Sequence, residues 1–147
     1  MNWPLHVTVA AVVEREGRFL LVQESIAGKS VINQPAGHLE QHESLVDAVV
    51  RETLEETAWQ FEPNALVGIY RWISPKGDTF LRFCFTGSVL HEEKNRALDH
   101  GIEQVLWLER TVLQQRAQEL RSPLVLQCID DYLAGVRIDL SAIKDVI

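Results

Sequence analysis

Gly37-His38-Leu39-Glu40-Gln41-His42-Glu43-Ser44-Leu45-Val46-Asp47-Ala48-Val49-Val50-Arg51-Glu52-Thr53-Leu54-Glu55-Glu56-Thr57-Ala58-Trp59 is the stretch on which the fold turns. Pro35-Ala36-Gly37 sets a bend before it, and Gly37 lets the backbone approach an ion or ligand, so its carbonyl is a candidate oxygen ligand. Ser44, with Asp47 three residues on, opens a helix that runs to about Thr57, with Leu45, Val46, Val49, Val50 and Leu54 at helical spacing. On a helical wheel Val46, Val49, Val50, Thr53 and Leu54 form one arc, expected to face the core. Glu52, Glu55 and Glu56 share a second arc of roughly 100°, broken only by Ala48.

Three carboxylates on one side of a helix repel one another, at about a few tenths of a kcal/mol per exposed pair and more when buried. Glu55 and Glu56 also sit in the last turn, where the negative end of the helix dipole disfavours anions. A divalent cation removes both conflicts, and hard carboxylate oxygens suit Mg²⁺ or Mn²⁺. The competing reading is a solvated acidic face. Between Glu40 and Glu56 there are six acidic residues and one basic residue, −5 of the chain's −7. With such a balance a general grip on nucleic acid polymers is not expected.

Working outward, residues 6–13 and 18–23 are β-rich apolar runs joined by Glu14-Arg15-Glu16-Gly17, expected to form a strand pair. Residues 25–30 read as a loop around Gly28, and residues 31–34 as a short extended piece stopped by Pro35. Residues 65–73 and 79–90 flank Ser74-Pro75-Lys76-Gly77-Asp78 as a second hairpin. Residues 91–100 read as a polar loop, 103–108 as a strand, 111–120 as a helix, and 123–133 as a last helix ending at Gly135. Helices and strands intermingle, which predicts an α/β (α+β) sandwich with helices on a mixed β-sheet. The 147 residues suit a single domain spanning 1–147. No apolar run approaches the ~20 residues of a membrane helix, and no signal peptide is apparent, so a cytoplasmic protein is expected. Cys84 and Cys128 lie in apolar segments without metal-ligand spacing and read as buried, reduced thiols.

Gly37, five residues, Glu43, seven residues, then Arg51-Glu52-Thr53-Leu54-Glu55-Glu56-Thr57-Ala58-Trp59 resembles the Nudix box, G-x5-E-x7-R-E-U-x-E-E-x-G-U with U bulky and apolar, over residues 37–59. Thr53 stands where the pattern has an aliphatic residue and Ala58 where it has Gly; Ala58 costs about 1 kcal/mol if its backbone must be left-handed. Residues 6–10, 33–40, 80–83 and 121–125 resemble a bacterial phosphatase branch of the family. The resemblance implies the Nudix α/β/α sandwich, with the box as loop-helix-loop. It implies Mg²⁺-dependent hydrolysis of small phosphorylated substrates: nucleoside tri- and diphosphates, and hydroxymethylpyrimidine and thiamine pyrophosphates. From the charge and the absence of a long apolar run no polymer or membrane partner is expected, and a monomer is expected.

Site roles follow residue by residue. Gly37, Glu52, Glu55 and Glu56 are the metal ligands that the resemblance implies, with Glu52 and Glu56 also catalytic, and Arg51 orients the catalytic glutamate. Arg51 is alternatively a surface ion pair, and Glu43 a structural charge facing it. Glu103, before Val105-Leu106-Trp107, stands where many Nudix enzymes bring a further carboxylate to the metals as ligand or general base. Arg82 alternates with Leu81 and Phe83 and is either a phosphate clamp or an exposed strand arginine. Trp72 and Phe80 flank the 74–78 turn and either stack on a base or pyrimidine ring or belong to the core. His38 and His42 read as variable loop positions. The runner-up function is a Nudix module that senses a nucleotide without cleaving it; such modules usually lose box carboxylates, and all four are present here. A third reading, an acidic helix for protein interaction, requires those carboxylates to be exchangeable.

Overall fold

β1 (Leu5–Val12) is apolar on both sides, so it must be covered twice, and the rest of the fold is arranged to do this. In this computed structural model, which describes residues 3–147, β1 pairs in parallel with β7 (Thr79–Glu92) and antiparallel with β5 (Ala36–His38). β6 (Trp59–Ile73) lies antiparallel on the far edge of β7, which completes a mixed sheet in the order β5-β1-β7-β6. The second sheet is antiparallel and centred on β3 (Arg18–Ile26). Phe19 faces Glu14 on one side and Leu108 on the other, and Val22 likewise faces Asn33 and Val105. Thus β2 (Glu14–Arg15) and β4 (Lys29–Asn33) share one edge of β3 and β8 (Ile102–Leu108) takes the other.

Alternation along the strands sends residues to two cores. Val9, Ala11, Val13 and Leu20 meet Ala48 and Val49 of α1 (Leu45–Thr57). Val12, Phe19, Leu21 and Ile32 meet Val125, Cys128 and Ile129 of α3 (Leu124–Leu133) and Leu113 of α2 (Arg110–Gln115). Each layer of helix covers one face, giving the expected α/β/α sandwich. Cys84 and Cys128 are buried and unbonded.

Three local expectations change. Residues 6–13 and 18–23 do not pair along their length. Only Val13 to Arg15 closes on β3, with Leu20 N–H donating to the Val13 carbonyl at 2.9 Å, while β1 itself belongs to the other sheet, whose strands satisfy both of its edges. The loop over 25–30 is a two-residue turn: Ala27 and Gly28 have φ of 50° and 78°, the mirror-image turn that suits strand twist, so both strands run up to it. The helix over 111–120 stops at Gln115 and continues as a 3₁₀ turn at Ala117–Glu119.

The decisive helix begins and ends as read. Ser44 Oγ accepts the Asp47 N–H at 3.0 Å. Ala58 closes the helix with φ 66°, its N–H bonded to the Leu54 carbonyl at 2.9 Å, so alanine does occupy a left-handed position.

Candidate active site

The buried stripe of α1 consists of Ala48, Val49, Glu52, Thr53, Glu56 and Thr57, whereas Val46, Val50 and Leu54 are only half-buried. The core face is therefore rotated by about 80° from the apolar arc toward the carboxylates. Two polar residues make the rotation tolerable: Thr53 Oγ1 donates to the Val49 carbonyl at 2.7 Å and Thr57 Oγ1 to the Thr53 carbonyl at 2.6 Å, so both hydroxyls are satisfied within the helix. Glu52 and Glu56 are buried along with them.

Arg51 ties this helix to the loop before it. Its Nε and Nη2 donate to the two oxygens of Glu43 at 2.6 and 3.0 Å, its Nη2 also reaches the His38 carbonyl at 3.2 Å, and its Nη1 donates to Glu52 at 2.7 Å and Glu55 at 3.3 Å. The bidentate pair holds the Glu43 carboxyl below the usual range and the guanidinium pKa above its own. One positive charge thus serves Glu43, Glu52 and Glu55, with Glu40 3.6 Å away. Negative charge remains in excess.

That excess is concentrated where the loop meets the helix. The Glu52 carboxylate lies against the Cα of Gly37, in the space a Cβ would fill, so this position requires glycine for close approach. Glu52 is raised in pKa by burial, against the pull of Arg51. Glu56 Oε1 accepts the Ala36 N–H at 2.9 Å, yet burial, with the charges of Glu24, Glu52 and Asp99, pushes its pKa up to about 9. Glu52, Glu55 and Asp99 each offer one oxygen, all within 4.8 Å of one another. Of the four expected ligands, then, Glu52 and Glu55 meet with Asp99, the Gly37 backbone lies against Glu52, and Glu56 is turned toward Ala36. An all-oxygen set in which at least two carboxylates resist ionisation by themselves fits a hard divalent cation.

Glu52 and Glu56 open onto a cavity of about 390 Å³, lined also by Arg82, Glu24, Arg121, Trp72 and Phe80. Arg82 is 5% exposed, not a surface arginine. Its Nη1 donates to Gln34 Oε1 at 2.9 Å and its Nη2 to Asn33 Oδ1 at 3.2 Å, while its Nε has no partner. Gln34 is itself fixed by donating to the Val125 carbonyl at 2.8 Å, so α3 sets the guanidinium's position from behind. No carboxylate lies within 4.0 Å of Arg82 among the described residues. A buried cation held only by neutral acceptors is electrostatically incomplete until an anion arrives. Trp72 and Phe80 are half-buried at the mouth with ring centroids 5.4 Å apart, and Phe80 stacks on His6 at 4.5 Å. His38 is more than loop filler: it lines the cavity and bonds His6 at 2.9 Å.

Glu103 lies elsewhere. It is exposed on β8, accepts the Ser30 hydroxyl at 2.6 Å, and is absent from the cavity wall. Two further carboxylates do reach the cavity: Glu40, exposed, and Glu24, near the end of β3, whose pKa is raised by burial against the opposing charge of Arg121. Sequence pattern offered no signal for Glu24 or Asp99: the former ends an apolar strand, the latter sits in a polar loop fastened to α1 by its N–H to the Glu55 carbonyl at 3.0 Å.

A comparison with protein families matches residues 4–127 to the NUDIX domain. The chain is 43% identical over 140 residues to the phosphatase NudJ of Escherichia coli K12, covering 95% of this chain and 91% of that protein, and equally to NudJ of Shigella flexneri. Among solved structures, a NUDIX hydrolase from Nitrosomonas europaea superimposes with a TM-score of 0.94 at 44% identity, over 96% of this chain and 97% of that one. The MutT protein from Methanosarcina mazei Go1, at 20% identity and a TM-score of 0.74 over 92% and 98% of the two chains, shares the fold.

Proposed function

The chain belongs to the Nudix hydrolase family, and from that premise we propose that it is a Mg²⁺-dependent phosphohydrolase, with Mn²⁺ as substitute, acting as one unit over residues 1–147. Its substrates are nucleoside tri- and diphosphates, with hydroxymethylpyrimidine and thiamine pyrophosphates as further candidates by analogy with the phosphatase relatives. One observation carries the reading: Glu52 and Glu56, whose burial disfavours their charge, line the same cavity as a buried arginine in want of an anion, and Glu55 and Asp99 converge on Glu52. A metal-bound phosphate supplies both.

Glu52, Glu55, Glu56, Asp99 and the Gly37 carbonyl would hold the ion, which would supply charge neutralisation and an acidified water. The chain's own residues do the rest. Arg51 fixes Glu52 and Glu55 in orientation. Arg82 grips a phosphate oxygen and, being clamped by Asn33 and Gln34, loses little freedom in doing so. Glu56, ionised only once a cation offsets its burial, would take up the proton of the attacking water. Glu103 would have to release Ser30 to assist, whereas Glu24 already faces the cavity. Trp72 and Phe80 offer ring surfaces to the organic group. A nucleotide sensor without turnover is the reading to beat, and phosphate release separates the two. Release in Mg²⁺ and none in EDTA is expected, with Arg82→Ala raising KM at least tenfold; full hydrolysis in EDTA refutes the mechanism.

A further inference from the structure

Behind Trp72 and Phe80 lies a second cavity of about 770 Å³, between the 74–78 turn and the start of α3. Trp72, Phe80, Arg121 and Ser122 belong to the walls of both cavities, so the two are neighbours sharing one partition. Their chemistry is opposite. The first holds Glu24, Glu40, Glu52 and Glu56. The second is walled largely by apolar side chains such as Val31, Leu120 and Leu126, and its charged residues are Lys29, Lys76 and Arg121 against a single carboxylate, Asp78. Asp78 is already engaged by His6 at 3.2 Å. None of the three cations makes an ion pair within 4.0 Å among the described residues.

We propose that this second cavity is the subsite for the substrate's organic group and that it selects flat rings that are neutral or carry negative substituents, against rings that carry a positive charge. The proposal rests on the phosphohydrolase reading and refines it, ranking thiamine pyrophosphate, the candidate with a cationic ring, below the others. With a phosphate on Arg82, the organic group must leave the acid-lined end, and the shared partition offers it two aromatic faces and Arg121 on the way. Apolar walls take the ring face; the unpaired cations set the sign of what its edge carries. In a chain of net charge −7, an acid-poor, cation-lined cavity beside the phosphate site discriminates where overall charge cannot. A cationic ring such as a thiazolium meets repulsion from Lys29, Lys76 and Arg121, which stacking on Trp72 offsets only in part.

The test is equilibrium binding of two probes with the same phosphate and different ring charge, adenosine 5′-monophosphate and thiamine monophosphate, by calorimetry in Mg²⁺. Wild-type protein is expected to prefer the neutral ring by about tenfold. The exposed double substitution Lys29→Glu and Lys76→Glu should shift that ratio by about tenfold toward the thiazolium, and Leu126→Trp, which fills the cavity, should weaken adenosine monophosphate binding by at least tenfold. Equal affinities in the wild type, or a ratio unmoved by the double charge reversal, overturns the proposal. Because binding is read without turnover, absent hydrolysis would refute the phosphohydrolase reading alone, while an unmoved ratio with normal hydrolysis would refute this subsite alone.

Discussion

Helices α1 and α3 cover opposite faces of the same two sheets and bury opposite kinds of residue. α3 buries Leu124, Val125, Cys128 and Ile129, as a helix selected for packing should. α1 buries Ala48, Val49 and two threonines, but also Glu52 and Glu56. Full burial of a Val or Ile side chain contributes about 1.5–3 kcal/mol, while a buried carboxyl group with neighbouring acids subtracts from stability at neutral pH. The contrast teaches where this fold gives up stability: along one helix, beside one cavity, and facing an arginine that gives up some too. Stability surrendered so locally marks function.

The largest expected effect separates the helices by readout. Glu52→Gln should lower the rate of phosphate release by about 10²–10³-fold, since it removes a charge from the proposed metal site, and should leave the metal-free melting temperature level or higher. Ile129→Ala on α3 should do the reverse, destabilising the fold by about 2–5 kcal/mol through a cavity while the folded fraction keeps its activity. Steady-state kinetics and denaturant unfolding of the two variants break the comparison if they move together. The smallest effect concerns the exit of α1. Ala58→Gly should stabilise by about 0.5–1 kcal/mol because φ 66° strains alanine and not glycine, a rise of a few degrees in Tm with unchanged kinetics.

Much of this was legible in the sequence, for reasons that differ by residue. The ends of α1 were readable because capping is local chemistry: Ser44 and Ala58 act on backbone groups within four residues. The convergence of Glu52, Glu55 and Glu56 was readable because helical periodicity is. The direction of the core face was not, since a wheel weighs hydrophobicity and treats a glutamate as an outward residue, whereas here Glu52 is drawn inward against Gly37. Alternation placed Arg82 on a strand face but could not tell that β4 and α3 bury it, because Asn33, Gln34 and Val125 arrive from far along the chain. Glu24 and Asp99 were beyond pattern for the same reason. The pairing of β1 failed on topology: two apolar runs with a short connection look like a hairpin, and only a strand apolar on both faces hints that its partners lie elsewhere.

The central claim, that α1 keeps buried carboxyl groups for a cation at the expense of stability, is tested most directly by melting wild type and Glu56→Gln side by side from pH 5 to 9, in EDTA and in Mg²⁺. Burial pushes the Glu56 pKa up to about 9 in the folded chain, against its ordinary value of 4.5 when unfolded. Below 4.5 both states hold the proton and nothing is lost; as pH rises the unfolded chain releases it first, so wild-type stability falls until about pH 9. Glutamine has no such slope. In EDTA the variant should therefore exceed wild type by less than about 1 kcal/mol at pH 5 and by about 3 kcal/mol at pH 7, and Mg²⁺ should raise wild type well above its own EDTA value while moving the variant little. A variant that melts below wild type throughout in EDTA, and gains as much from Mg²⁺, would contradict the account.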